Sequence, residues 1–286
     1  MNRRLRPAVP FSPLAALLLL AAVLFLPSTA LAFTPASADD PCSDEAFFQG
    51  NMQFGQGGKT AVDVQQLHQP APSGTWHIDA GENGSIQIAD WDKDEVLICA
   101  AVTAWTRDAG RAEKLLREIH VENDHGKLRV EGPWQTNDAR WGVAFRIHAP
   151  RAMDLDLQAL NGGIAVKGIH GRISLHTENG PIAVDGAGGD VEGRTTNGPV
   201  NVELAGSRWS GKGLDVETTN GPVNLTIPEH YSAELITGTE NGPVAGAYMG
   251  ASGNRRHHHV STVIGSGGAP VRVVTTNGPV TVNEGD

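Results

Sequence analysis

Thr196-Asn197-Gly198-Pro199-Val200 is the stretch on which the reading of the fold turns. It recurs as Leu160-Asn161-Gly162-Gly163-Ile164, Glu178-Asn179-Gly180-Pro181-Ile182, Thr219-Asn220-Gly221-Pro222-Val223, Glu240-Asn241-Gly242-Pro243-Val244 and Thr276-Asn277-Gly278-Pro279-Val280. The asparagines are spaced by 18, 18, 23, 21 and 36 residues. A recurrence of this length marks a repeat architecture. The last interval is twice the first, which predicts one coil between Asn241 and Asn277 without its signature.

On either side of the asparagine the pattern alternates. Six residues before it stand Leu155, Ile173, Val191, Leu214, Leu235 and Val271; two before it, after Ala159 in the first unit, stand Thr177, Thr195, Thr218, Thr239 and Thr275. Three residues after it come Ile164, Ile182, Val200, Val223, Val244 and Val280. The positions between are polar or small, so each unit reads strand, corner, strand with one buried face. Asn-Gly between strands is ordinarily a hairpin signal. Here proline follows the glycine in five of six units. That position must donate the N–H that closes a two-residue hairpin, and proline has none. The hairpin fails on chemistry and a corner remains, with asparagine and glycine supplying left-handed or freely bent backbone and proline starting the next strand. The expected fold is all-β: a single-chain β-solenoid of β-helix type over 151–284, with parallel-stacked coils.

Upstream, residues 73–150 read as an N-terminal β part of the same architecture. Glu82-Asn83-Gly84-Ser85-Ile86 repeats the corner, with Trp76, Ile78 and Ala80 slipped by one residue, which predicts a bulge or an irregular coil. A hairpin is expected to turn at Asp92-Lys93-Asp94-Glu95. One short helix is expected at about 108–119, capped by Asp108, with Ala112, Leu115, Leu116 and Ile119 on one face and the role of plugging or flanking an end of the solenoid. Residues 33–72, rich in Gly, Gln, Ser and Pro, read as a flexible lead-in.

The first 32 residues read as a signal peptide. Arg3, Arg4 and Arg6 precede the apolar run Leu14 to Leu26, Pro27 ends it, and Ala30-Leu31-Ala32 supplies the cleavage pattern. A helix over that run would fall short of a bilayer core. The expectation is an exported chain, in the periplasm, at the cell surface or outside the cell, with no membrane span after cleavage. Loss of three arginines takes the formal charge from −10 to −13, which excludes the basic stripe of a nucleic-acid binder. Cys42 and Cys99 are the only cysteines; an exported protein allows them one disulfide, and a buried small apolar Cys99 is the alternative.

The line Gly84-Ser85-Ile86-Gln87-Ile88-Ala89-Asp90-Trp91-Asp92-Lys93-Asp94-Glu95-Val96, the short helix and the iterated T-x-N-G-x-[IV]-x-[VL] units resemble a bacterial family of unknown function. That family carries an adhesin label and is related to the head domains of autotransporter adhesins. The likeness covers about 74–284. It implies a repeat solenoid and carries no catalytic residues. Many of its members have a polar residue where this chain has proline, which implies a stiffer corner here.

Candidate sites are few. His257, His258 and His259 form the most site-like cluster, but neighbours on a strand alternate direction, so at most two share a metal and a solvated loop is the simpler reading. Asp90, Asp92 and Asp94 mimic the start of a calcium loop, yet Glu95 and Ala101 stand where glycine and glutamate belong. The asparagine ladder offers amides to a glycan, although such ladders are commonly structural. Any of Trp76, Trp91, Trp105, Trp134, Trp141 and Trp209 is a candidate sugar platform, with core packing the commoner role. No nucleophile elbow, phosphate loop or zinc-protease motif occurs, and nothing calls for a cofactor. The expected function is a non-catalytic binding or scaffolding protein of the envelope, with a polysaccharide or an envelope protein as partner. The alternatives are a β-helix polysaccharide lyase or hydrolase and an envelope sensor ectodomain.

Overall fold

The computed structural model describes residue 42 and residues 58–248 and 259–285. The signal-peptide reading, most of the lead-in, and His257 and His258 lie outside the described residues. The chain opens with β1 (Lys59–Pro70), and the first coil is β2 (Trp76–Asp79) with β3 (Gly84–Trp91). Next come β4 (Glu95–Thr106), helix α1 (Ala109–Leu116), β5 (His120–Asp124), β6 (Lys127–Glu131) and β7 (Ala139–Pro150). Regular coils follow: β8 (Leu155–Ala159) with β9 (Ile164–Lys167), β10 (His170–Thr177) with β11 (Ile182–Asp185), and β12 (Gly188–Asn197) with β13 (Val200–Glu203). Then come β14 (Gly211–Asn220) with β15 (Val223–Pro228) and β16 (Ala233–Asn241) with β17 (Val244–Gly246). After β18 (His259–Ile264) the last coil is β19 (Pro270–Asn277) with β20 (Val280–Gly285).

Each coil gives one strand to each of two ten-stranded sheets, ordered β1-β4-β7-β3-β9-β11-β13-β15-β20-β17 and β18-β16-β19-β14-β12-β10-β8-β2-β6-β5. Neighbouring coils pair in parallel and in register, so Val200 lies beside Val223 and Asn197 beside Asn220. The inward rows meet in one aliphatic core that includes Leu155, Ile173, Val191, Leu214 and Val271 from one sheet and Ile164, Ile182, Val200, Val223 and Val280 from the other. Each such buried side chain contributes roughly 1.5–3 kcal/mol. The β-solenoid expected from the repeats is what the chain forms.

The corners follow a different rule from the one expected. No corner asparagine has positive φ, and neither Gly180 nor Gly198 does. Glycine is required for space. A Cβ on Gly198 would fall on the carbonyl oxygen of Gly180 in the coil below, and one on Gly180 would fall on that of Gly162. With the corners this close, the buried threonine of four coils reaches a corner glycine carbonyl, while Thr239 donates to Thr276 O at 3.3 Å. Thr177, Thr195, Thr218 and Thr275 donate from Oγ1 to Gly162, Gly180, Gly198 and Gly221 at 2.8–2.9 Å.

Chain order and stacking order part company at both ends. The last coil inserts between β14/β15 and β16/β17, and β6/β7 stack on the outer side of the first coil. The 36-residue interval therefore holds no lost coil. It holds the connection to β18, which runs antiparallel along β16 at the sheet edge, and the return into β19. The hairpin expected at Asp92–Glu95 is also absent. The chain turns there, but β7 lies between β3 and β4, so those strands do not pair. The hairpin of this region is β5–β6, whose turn at His125 and Gly126 has φ of 50° and 76°. The slip before Asn83 is no strand bulge: Trp76 and Ile78 align with Leu155 and Leu157, and Gly81 (φ 70°) takes up the extra residue in the corner.

The lead-in ends in strand rather than in loose chain: β1 pairs with β4 along twelve residues. Helix α1 is capped by Asp108, which accepts from the Gly110 N–H at 3.0 Å, and it lies against β1, β4 and β7 at one end of the stack. On the outer face of the first sheet, Cys42 forms a disulfide with Cys99, with Cα atoms 5.4 Å apart, amid Leu97, Ala101 and Ala144.

Two outcomes are expected. Thr195→Val leaves the Gly180 carbonyl without its donor and should cost about 1–3 kcal/mol in denaturant unfolding, whereas exposed Thr196→Val should stay within about 0.5 kcal/mol. The Cys42→Ser/Cys99→Ala pair removes a cross-link across 57 residues and should lower stability by about 2–4 kcal/mol. Intact-mass analysis with and without reductant tests the bond itself.

Candidate functional site

The described residues present an outer face on each sheet and two edges of stacked connections, one at the Asn-Gly corners and one at the coil-to-coil turns 168–169, 186–187, 204–210 and 229–232. The outer face of the second sheet is a lattice of ion pairs. Arg194 contacts Asp215 at 3.1 Å, Glu217 at 3.0 Å and Glu192 at 3.3 Å, and Arg272 contacts Asp215 at 2.5 Å and Glu217 at 2.9 Å. These arginines are already held by carboxylates, which leaves little pull on an external anion. His259, the described member of the histidine run, begins β18 and lines a cleft on this face with His176 and Glu240. Among the described residues no three His, Cys, Asp or Glu side chains gather as a metal group. Asp90, the first of the calcium-like acids, pairs with Arg151 at 2.6 Å.

On the first sheet, Lys167 sits 2.5 Å from Asp185, and that hydrogen bond raises its pKa against the opposing effect of burial. Trp91 stacks on His148 with ring centroids 5.6 Å apart, and the Lys93 ammonium lies 4.4 Å from the Trp91 ring. Burial first, and then the charges of Arg146 and Lys93, hold the His148 imidazole below its ordinary 6.5.

The corner edge is built differently. Because the coils stack in register, the asparagines form one continuous ladder whose spatial order is 83, 161, 179, 197, 220, 277, 241. From Asn161 onward each Nδ2 donates to the Oδ1 of the preceding amide in that order, at 2.8–3.0 Å for the five bonds from Asn161 to Asn241 and at 3.5 Å from Asn161 to Asn83. Asn83 in turn donates to Gln135 Oε1 at 2.9 Å. Apart from half-buried Asn83, all these asparagines are exposed. Each amide has two N–H groups and two acceptor lone pairs, so each exposed member of the ladder keeps at least one of each beyond its ladder bonds, whereas Asn83 gives both N–H groups to Gln135 Oε1 and the Trp141 carbonyl. On one flank runs a row of prolines, 181, 199, 222, 279 and 243; on the other stand Glu178, Thr196, Thr219, Thr276 and Glu240.

The backbone at this edge is already engaged. The N–H of Asn197 donates to Glu178 O at 2.7 Å, that of Gly198 to Asn220 O at 3.0 Å and that of Val200 to Pro222 O at 2.9 Å. The edge therefore offers side-chain amides and no strand edge.

At its end lies the corner of the outermost coil, residues 132–138. Gln135 accepts from Asn83 and from the Trp141 N–H at 3.0 Å, Trp141 Nε1 donates to Pro133 O at 2.9 Å, and Asp138 pairs with Arg107 at 2.7 Å. The loop is tied down on both sides of Trp134, yet Trp134 is 92% exposed. It walls a cleft of about 570 Å³ with Glu82, Asn83, Gln135, Asn137, Arg140 and Asn161. Four of the other tryptophans, 76, 105, 141 and 209, are buried, and Trp91 is partly so. The sequence offers no separation of Trp134 from these beyond the turn-forming Gly132, Pro133, Asn137 and Asp138 around it.

The family described as Toastrack DUF4097 matches residues 82–283. Among solved structures, the chain is similar to "a putative cell adhesion protein" from Clostridium sporogenes, with a TM-score of 0.43 and 12% identity over 79% of this chain and all of that one. It is also similar to "a putative adhesin" from Bacteroides fragilis, with a TM-score of 0.35 and 10% identity over 78% of this chain and 97% of that one. A "putative lipid binding protein" from Parabacteroides distasonis gives 0.24 and 11% over 79% and 97%. Likenesses this distant carry no functional weight. No curated protein matches the chain.

The His148 setting yields a pH test. A folded pKa below the unfolded value means that the unfolded chain takes up the proton first. His148 therefore contributes its full stability above about pH 6.5 and loses it as the pH falls below that value. The stability gap between wild type and His148→Gln should narrow in that range. A gap constant across it in urea titrations would show that the imidazole is not shielded.

Proposed function

Because the chain belongs to the Toastrack DUF4097 family, which matches residues 82–283, we propose that it acts as a non-catalytic binding or scaffolding module of the cell envelope. In this reading it is exported and holds an extended partner, a polysaccharide or an envelope protein. The observation that carries the reading is the corner edge: a rigid, solvent-facing row of amides at a fixed spacing, each with hydrogen-bonding capacity left over. A rigid array is a good binder because little conformational entropy is lost when a partner docks on it.

Two features support export. Arg3, Arg4, Arg6 and the run Leu14 to Leu26 have the pattern of a secretion signal. The Cys42–Cys99 disulfide fits an oxidising compartment. Among the described residues no helix is long and apolar enough to cross a membrane.

The protein recovered from its producing cells should co-sediment with envelope material. Because the amides of the edge are neutral, capture should survive a rise to about 0.5 M salt, which screens charge pairing. Soluble fragments released by catalytic amounts of protein would instead favour a lyase or hydrolase. Recovery of all the protein in the supernatant would sink the binding reading.

A further inference from the structure

We infer that the corner edge is a binding track for a neutral polysaccharide, which lies along the solenoid axis with one sugar unit per coil and its end unit stacked on Trp134. The inference rests on the binding reading above and names the ligand class and the residues that hold it.

The argument begins with spacing. Coils stack about 4.8 Å apart, so the seven amides from Asn83 to Asn241 mark a straight line of roughly 30 Å. That step is close to the length of one pyranose unit in an extended chain. A straight chain of such units turns successive rings over, so without bending it offers equivalent hydroxyls to alternate amides and other ring hydroxyls to the amides between them.

The chemistry matches at each step. A hydroxyl both donates and accepts, and every exposed amide of the ladder retains one free N–H and one free lone pair. A sugar ring also has an apolar face of C–H bonds, and the proline row runs beside the amides at the same spacing. Trp134 is an exposed indole on a fastened loop at the end of the line, beside a cleft of about 570 Å³. That volume is in the range of small-molecule sites. A flat aromatic surface of this kind suits the apolar face of a sugar.

Charge and backbone narrow the class. The formal charge is −10, and Glu82, Glu178 and Glu240 flank the track, so a polyanionic chain would be repelled. An extended peptide binds most readily by adding a strand to an open sheet edge. The corner N–H groups of Asn197, Gly198 and Val200 already donate to the neighbouring coil, so a peptide finds no ladder to join.

The test is affinity electrophoresis of the purified exported protein in gels containing soluble β-glucan, xyloglucan or galactomannan, with alginate as the anionic arm. At least one neutral chain should retard the protein and alginate should not. Trp134→Ala, whose side chain packs on nothing essential to the fold, should weaken retardation on the order of tenfold. Thr196→Arg/Thr219→Arg places bulk on the track without touching the ladder and should weaken it at least as much. Glu203→Gln, on the outer face of the first sheet, should leave it unchanged. Calorimetry with oligosaccharides should show affinity rising with length until the chain spans the seven amides. Retardation undiminished in both the Trp134 and the Thr196/Thr219 variants, with thermal unfolding intact, overturns the site. Capture by envelope material without retardation in any neutral chain overturns the ligand class and leaves the binding reading standing. Failure of both removes both.

Discussion

The coils come so close at their corners that one residue of each must lack a side chain. At Gly180 and Gly198 a single added carbon would meet the carbonyl oxygen of the coil below, and interiors this dense do not absorb such an overlap cheaply. The approach in turn brings Thr195 Oγ1 to within 2.8 Å of the Gly180 carbonyl and lines up the asparagine amides. Aliphatic burial supplies most of the favourable free energy, but it is non-directional. The corner contact is what sets the register, and the register is what turns separate Val, Thr and Asn positions into rows.

Polar bookkeeping explains why the stack tolerates threonine in its interior. Thr177, Thr195, Thr218 and Thr275 are all buried, and a buried hydroxyl without a partner is costly. Each finds its acceptor in the adjacent corner glycine. The corner proline fits the same logic. It has no N–H to satisfy, while its carbonyl accepts from the N–H of the residue that opens the neighbouring strand, as Pro222 does from Val200 at 2.9 Å. What remains unsatisfied on this edge is the second half of each exposed amide from Asn161 to Asn241, and that half faces water.

The ends of the stack are closed by reordering the chain. A coil at the end of a polypeptide ordinarily frays. Here the last coil sits between β14/β15 and β16/β17, paired on both sides, and the first repeat coil sits between β6/β7 and β8/β9. Antiparallel elements take three of the four sheet edges, and the short coil strand β17 takes the fourth. β18 lies antiparallel on one edge, β1 on another, and α1 covers apolar surface next to β1 and β4. Antiparallel and helical pieces at the rim offer a poorer template for end-to-end stacking of copies than another parallel coil would.

Much of this was legible in the residues, because the solenoid signal is local. Proline after Asn-Gly rules out the hairpin by its missing N–H, and period-two alternation assigns the inward rows; both follow from single-residue chemistry. The Asp108 cap and the apolar face of the helix were readable for the same reason. Other features depend on which segments meet. The 36-residue interval reads as a silent coil only if sequence order is also stacking order, and β7 enters between β3 and β4 although nothing in Asp92–Glu95 announces it. The six tryptophans are alike in composition, but only the packing leaves Trp134 on the surface. Sequence alone determined that the chain winds, which side chains turn inward and where it bends, since these are set by neighbours along the backbone. The order of the coils, the Cys42–Cys99 bond and the joining of Trp134 to the amide ladder were decided by tertiary structure, because each depends on contacts between residues far apart in the chain.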